Sequence, residues 1–408
     1  MKSSIKIPNV IQFFVNVLAI VLFMMLLIVQ SSYSQSVKKT GSPVQTYKVA
    51  AYYWPAYHNE ARWKSFFDGN EGEWEIIRNC KPKYEGHRQP RVPLWGYTDE
   101  TDPVVMEKKI DAAVSHGVNV LAFDWYWYEG KPFLEECINK GFLKAKNVDK
   151  IEFYIMWANH AATTLWDKRR SHHYDTIWPG TVDRTNFDII ADRIINRYMK
   201  HPSYFKIDGK PVLAIYELGT LIKGLGGINQ TKEALDSFRK KVKEAGFPDL
   251  YLQAILWSNI PETKSNVPGD AVKTQNNTIE ALGINSLTNY QYVHVSQPVD
   301  DYIQWCNTAI AFWPKWEKEF SVPFFPHVAV DWDTNSRFYE YKPCLKKNVN
   351  PENFRIYLKK AKAYIDAHPK QPKMVTINSW NEWSEGSYLE PDLVNGMKYL
   401  EAVKEVFK

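Results

Sequence analysis

Apolar runs recur along the chain at 47–54, 118–125, 151–157, 211–217, 250–256, 284–288, 324–330 and 374–380. Each is short, rich in β-branched and aromatic residues, and reads as a buried strand. Between them hydrophobic positions return at helical spacing, at 103–116, 132–146, 186–200, 231–245, 298–320 and 351–368, with a weaker stretch at 272–282 and a last one at 393–407. Asp102-Pro103 and Asn350-Pro351 put proline in the first helical turn. Eight strands alternating with helices predict an α/β fold, a single (β/α)8 TIM barrel. Near-continuous apolar strands agree, because parallel strands are buried on both faces. An open dinucleotide-binding sheet would need a glycine-rich turn after the first strand, and Pro55-Ala56-Tyr57-His58 is not one. The connection at 55–102 is too long for a plain loop and holds Trp63, Trp74, Tyr84, His87 and Trp95, which predicts a lid or binding loop.

The N-terminus changes the setting. Lys2 and Lys6 precede an apolar run at 10–29, and Ser32-Tyr33-Ser34-Gln35 follows it. These are the regions of an export signal. The expected organisation is a signal peptide at 1–34, a polar linker at 35–46 and a catalytic barrel at 47–408, exported to the periplasm, cell surface or medium. The apolar run is long enough to span a bilayer if uncleaved, and only then is a membrane a partner. No cysteine follows it, which argues against a lipoprotein. The net charge of +5 is spread along the chain without a basic, aromatic-interleaved run, so no nucleic-acid partner is expected. Cys80, Cys137, Cys306 and Cys344 are widely spaced with no C-x-x-C pair; disulfides and buried thiols both remain open. A monomer is expected.

Aromatic residues make up 15% of the chain, with 16 Trp and 24 Tyr, more than a core requires. They collect where strands end: Tyr53-Trp54, Asp124-Trp125-Tyr126-Trp127, Asn159-His160, Tyr216-Glu217, Trp257, Tyr290, Trp332 and Trp380-Asn381. Strand starts are plain, as at Lys150, Lys210, Pro248 and Lys373. Barrels carry function at the C-terminal face, and rings, acids and amides there suit a carbohydrate. The last strand delivers Glu382 and Glu385 among Trp380 and Trp383. Glycosidic cleavage needs one carboxyl to protonate the leaving oxygen and another as base or nucleophile. Residues three apart share one side of a helical turn, and Gly386 predicts such a turn. A tryptophan pocket can raise the pKa of one acid. The bland alternative is a solvated strand end with two incidental glutamates; the flanking tryptophans favour the site. Asp124 reads equally as a functional acid or a salt bridge, Glu217 as a reserve acid, and Asp331 or Asp333 with Arg337 as sugar ligands or orienters of a glutamate. His172-His173 lacks an acidic partner at ligand spacing, so no metal and no cofactor is expected.

Asn381-Glu382-Trp383-Ser384-Glu385-Gly386, with Glu390-Pro391 after it, resembles the signature of glycoside hydrolase family 99, the endo-α-mannosidases. The closer resemblance is to the WbsX-like, family 99-like group. It rests on Tyr52-Tyr53-Trp54-Pro55, Glu73-Trp74, Gly86-His87-Arg88-Gln89-Pro90, Phe123-Asp124-Trp125-Tyr126-Trp127, and Trp332-Asp333 with Arg337. The resemblance implies a (β/α)8 barrel with Glu382 and Glu385 as the catalytic pair. It implies that Glu382 assists attack by the sugar's own 2-hydroxyl, that Glu385 serves as acid and then base, and that configuration is retained. Tyr53, Trp54, Glu73, Trp74, His87, Gln89, Asp124, Trp125, Tyr126, Trp127, Asn159, His160, Glu217, Tyr290, Trp332, Asp333, Arg337, Trp380 and Asn381 are the expected substrate-binding residues. Ser384 stands where the mannosidases usually have histidine, and Asp333-Thr334 where the WbsX-like pattern has Asp-Asn. The expected function is an exported glycoside hydrolase. A polysaccharide-assembling glycosyltransferase would need an activated donor, commonly cytoplasmic. A non-catalytic sugar-binding barrel would be expected to lose one acid of the pair.

Overall fold

The computed structural model describes residues 46–257, 260–265 and 272–408. The export segment, the linker up to residue 45 and residues 258–259, which follow Trp257 at its strand end, lie outside the described residues. Eight parallel strands form the barrel: β1 (Lys48–Tyr53), β2 (Val120–Tyr128), β3 (Glu152–Trp157), β4 (Lys210–Ile215), β5 (Tyr251–Ile255), β6 (Ser286–Thr288), β7 (His327–Ala329) and β8 (Met374–Asn378). Pairing runs in chain order from β1 to β6, and β8 sits between β1 and β7. The sheet closes through a parallel bridge between Leu287 and Phe324, where Leu287 N–H donates to Pro323 (2.9 Å) and Phe325 N–H to Leu287 (2.8 Å). Burial on both faces explains the unbroken apolar runs.

Outside the strands lie α1 (Pro103–Ser115), α2 (Arg184–Ile194), α3 (Leu218–Leu225), α4 (Ile228–Glu244), α5 (Gln275–Leu282), α6 (Tyr302–Ile310), α7 (Trp313–Glu319), α8 (Pro351–Ala367) and α9 (Lys398–Phe407). Asp102 and Asn350 cap α1 and α8 through the backbone N–H groups of Val104 and Asn353 (2.8 Å each), as the proline cues predict.

Four expectations need correction. Residues 132–146 form no α-helix. Lys131–Phe133 folds back on Tyr126–Tyr128, and a π turn at Cys137–Gly141 and a 3-10 turn at Phe142–Lys144 follow. Phe133 packs against Trp63 (ring centroids 5.0 Å) and Trp178 (5.4 Å). The stretch at 298–320 divides into α6 and α7, with Pro314 in the first turn of α7, where its missing N–H costs nothing. The last helix starts at Lys398 because Asp392 closes a turn on the N–H of Val394 (3.0 Å), leaving Leu393 exposed. Finally, two of the tryptophans of 55–102, Trp63 and Trp74, belong to the core rather than to a lid or binding surface, and Trp95 is half-buried. Trp63 is buried, and Trp74 stacks on Tyr57 with centroids 4.0 Å apart. All four cysteines are buried and unpaired.

Candidate active site

A cleft of about 640 Å³ opens at the C-terminal ends of the strands, and Glu382 and Glu385 both line it. The last strand delivers them through a 3-10 turn at Trp383–Glu385, ended by Gly386 in the left-handed region (φ 71°). A Cβ on Gly386 would lie 2.7 Å from Arg91 Nη2, so only glycine closes the turn here. The turn is pinned on several sides. Glu382 N–H donates to Ser379 Oγ (2.7 Å), Trp383 N–H to Tyr57 Oη (3.1 Å) and Asp333 N–H to Glu385 O (2.6 Å). Ser336 Oγ donates to Ser384 O (2.9 Å).

Arg337 stands among three carboxyls. Its Nη1 is 2.8 Å from Glu385 Oε1, and its Nη2 is 3.2 Å from Glu73 Oε1 and 3.6 Å from Glu382 Oε2. Glu73, fully buried, also accepts from Trp54 Nε1 (2.6 Å). Burial pushes Glu382 well above the usual carboxylate range, and the charges of Glu385, Glu73 and Asp124 push it further against the pull of Arg337. Burial raises Glu385 as well, with Arg337 offsetting part of the effect. Asp124 lines the cleft with them and is raised by burial, its Oδ2 lying 2.7 Å from Tyr290 Oη.

Ten expected residues meet at this cleft: Trp54, Asp124, Tyr126, His160, Glu217, Tyr290, Trp332, Arg337, Glu382 and Glu385. The remaining expected ligands do not line it, and His87 and Gln89 line a second cavity of about 620 Å³. Tyr53 Oη donates to buried Glu100 (2.8 Å), Trp74 Nε1 to Thr98 O (2.8 Å) and Trp125 Nε1 to Glu135 (2.9 Å). Trp127 Nε1 donates to Asn186 (3.1 Å). Trp125 and Trp127 alternate with Asp124 and Tyr126 along β2, so the pleat turns them away from the cleft. Asn159 brackets the backbone of Glu217, and Asn381 that of Trp54, each through 2.8 Å bonds. Trp380 is wholly buried. His87 and Gln89 grip Asp333 Oδ2 at 2.9 Å each, and Arg91 reaches the same oxygen at 3.3 Å. Burial alone would raise Asp333; His87, Arg91 and Asn335 instead hold it well below the usual range. Neighbouring Asp331 is raised by burial to about 6.

Other cleft residues were absent from the expected set. Tyr216 and Trp257 end β4 and β5 and carried the strand-end signal. His294, lowered by burial to about 3, and Trp166 come from turns whose local sequence marks no site. Beneath the turn that carries Glu382 and Glu385, Lys109 on α1 bridges Glu100 (2.6 Å) and Glu390 (2.9 Å). Glu100 also accepts from Asn381 Nδ2 (2.9 Å) and Glu390 from Trp383 Nε1 (3.0 Å), so this triad supports the motif from below. Its signal was a lysine placed on the apolar stripe of Met106, Ile110 and Ala113.

Comparison with known proteins gives three findings. The family model described as Glycosyltransferase WbsX matches residues 49–403. The uncharacterized protein WxcX of Xanthomonas campestris pv. campestris is 26% identical over 366 residues, covering 88% of this chain and 49% of its own length. The chain thus spans about half the length of the curated relatives it matches. Among solved structures, the GH99 endo-alpha-mannosidase from Bacteroides thetaiotaomicron superposes with TM-score 0.54 at 15% identity, covering 88% of this chain and 95% of that one. A glycoside hydrolase-like protein gives TM-score 0.54 at 16% identity, covering 90% and 97%. At these identities the structural likeness shows the fold.

Proposed function

The chain belongs to the Glycosyltransferase WbsX family, on a barrel it shares with a GH99 endo-alpha-mannosidase, and we propose that it is glycan-active, an exported glycoside hydrolase. The observation that carries this reading is the pair Glu382 and Glu385, both raised by burial, lining one aromatic cleft and meeting one guanidinium. Glu385 protonates the leaving oxygen. As the C1–O bond breaks, the substrate's 2-hydroxyl oxygen bonds to C1 and its proton passes to Glu382. Water then opens the three-membered ring at C1, giving a proton to Glu385, while Glu382 returns its proton to O2. Two displacements at C1 retain configuration. No glutamate forms a covalent bond to sugar on this route. A cleft rich in carboxyls also favours the positive charge that develops at C1.

The family's description keeps glycosyl transfer as the second reading. The charge of the cleft weighs against a diphosphate donor. Of the cations on its described wall, Arg337 is committed to three carboxyls, which leaves Lys223. The test is a screen of the purified mature protein against plant, fungal and bacterial polysaccharides, with the first-formed product read by NMR. Hydrolysis with a retained anomer is expected. An inverted anomer overturns the route through the 2-hydroxyl, and transfer from a nucleotide sugar without hydrolysis makes the protein a transferase. N-terminal sequencing of the exported protein is expected to begin shortly after Ser34, and Met1 on a cytoplasmic protein would refute export.

A further inference from the structure

Asp124, from β2, and Glu382, from the turn after β8, meet on a single hydroxyl. Tyr290 Oη lies 2.7 Å from Asp124 Oδ2 and 2.8 Å from Glu382 Oε1. A phenol carries one proton and can donate to one acceptor at a time. If both carboxyls were ionised, one of these short contacts would press lone pair against lone pair. Both contacts are bonds only when one carboxyl carries its own proton and donates to the phenol oxygen. All three side chains are buried, so such repulsion would stand in a poorly screened site.

The remaining oxygens decide which acid holds the proton. Glu382 Oε2 faces Arg337 Nη2 at 3.6 Å, which favours its charged form. Asp124 Oδ1 and Glu382 Oε2 are both buried with no hydrogen-bond partner, so the guanidinium makes the difference: no lysine, arginine or histidine forms an ion pair with Asp124 among the described residues. We propose that Asp124 holds a proton in the resting enzyme and donates it to Tyr290, whose hydroxyl in turn donates to Glu382, so that Glu382 meets substrate as a carboxylate. Asp124 is then a positioning residue, acting on the base through the phenol. The catalytic consequence rests on the function proposed above; the location of the proton does not.

The groups facing the two acids differ in one respect. Burial and the charges of Glu385, Glu73 and Asp124 press on Glu382 and Arg337 opposes them, whereas on Asp124 burial and Glu385 act with no cation opposing. Tyr126 on β2, Tyr216 beyond β4, Tyr52 on β1 and Tyr154 on β3 face Asp124, and burial keeps each of these phenols protonated. His294 packs near the Tyr290 ring and stays neutral. Arg337 is the one cation in this set, and it touches Glu382 rather than Asp124. A neutral Asp124 removes one of the like charges pressing on Glu382 and turns the Tyr290 hydroxyl toward it.

Infrared spectroscopy of the intact protein locates the proton without any substrate, so its outcome is independent of whether the protein hydrolyses or transfers sugar. The expected result is a protonated-carboxyl band at neutral pH that is lost in Asp124→Asn. In wild-type protein the same band shifts to lower frequency when aspartate carries carbon-13 in its side-chain carboxyl, and stays put when glutamate is labelled instead. The labelling arm needs no variant and is run at pH 8, above the range of Asp331, so it decides even if Asp124→Asn folds poorly. A band that moves with labelled glutamate alone, or the absence of any band sensitive to aspartate labelling, overturns the proposal.

Discussion

Replacing Lys109 by Met tests the charge balance of the triad beneath the turn that carries Glu382 and Glu385. Lys109 has 2% of its side chain exposed and lies 2.6 Å from Glu100 and 2.9 Å from Glu390. Methionine keeps most of the stem and removes the charge. With lysine the three groups carry a net charge of −1. Without it two buried carboxylates would carry −2, and one added proton restores −1. Glutamate in an unfolded chain titrates near pH 4.3, so holding that proton at about pH 7 costs 2.7 pH units at 1.36 kcal/mol each, about 3.7 kcal/mol. Breaking a buried ion pair costs about 3–5 kcal/mol in general, which agrees. The sign follows from linkage. The folded variant holds a proton that its unfolded state releases, a carboxyl with a raised folded pKa, so the penalty grows as pH rises above the unfolded value. It therefore shrinks on acidification, to about 1.7 kcal/mol near pH 5.5. Chemical denaturation of wild type and Lys109→Met at the two pH values measures both quantities. Adding Glu100→Gln, which keeps an oxygen for Tyr53 and Asn381, is expected to recover most of the loss at neutral pH. A loss under about 1 kcal/mol near pH 7, or one that does not change with pH, refutes the charge argument.

Three further outcomes are expected. Glu382→Gln and Glu385→Gln each leave a folded protein with turnover down by a factor on the order of 10²–10⁴ on the glycan the screen identifies, and near wild-type turnover in both would refute the assignment. Gly386→Ala lowers stability by about 1–3 kcal/mol in thermal unfolding, because it combines a positive φ with the contact to Arg91; an unchanged melting temperature would refute the fit. His327 is fully buried and held neutral, its pKa well below the ordinary value. Its unfolded form takes up a proton below about pH 6.5 that the folded form refuses, so it costs stability as pH falls. In His327→Phe the fall in unfolding free energy from about pH 6.5 to 4.5 is shallower, by up to about 1.4 kcal/mol per pH unit, and curves parallel to wild type would refute this.

The barrel was legible because its signals are local. A strand buried on both faces must be apolar throughout, and a helix that opens on Asp-Pro or Asn-Pro states its own start. The failures lie where a distant group outweighs the local pattern. Pro132 looks like a helix opening, yet Phe133 enters a ring cluster with Trp63 and Trp178, from segments far along the chain. The backbone at Gly141 presses on the carbonyl of Glu100, where a Cβ would lie 2.0 Å away. No periodicity within 132–146 encodes either contact.

That Glu382 and Glu385 share a cleft was legible for a related reason: two carboxylates at the end of an apolar strand, between tryptophans, demand an explanation. Which neighbours share their cleft was less so, although part of the answer was present. On β2 the pleat puts Asp124 and Tyr126 on one side and Trp125 and Trp127 on the other, and a period of two would have separated them. Charge was the harder case. Lys109 and Glu100 look like surface residues in sequence, and their burial makes sense only once Glu390 arrives from the far end of the chain. Arg337 shows the same limit. It gains meaning from Glu73 on the long connection after β1 and from Glu382 and Glu385 after β8, segments that only closure of the barrel through β1 and β8 brings side by side. A burial that no local pattern announces therefore depends on a partner distant in sequence, and each such partner found here supports the turn that carries the acids.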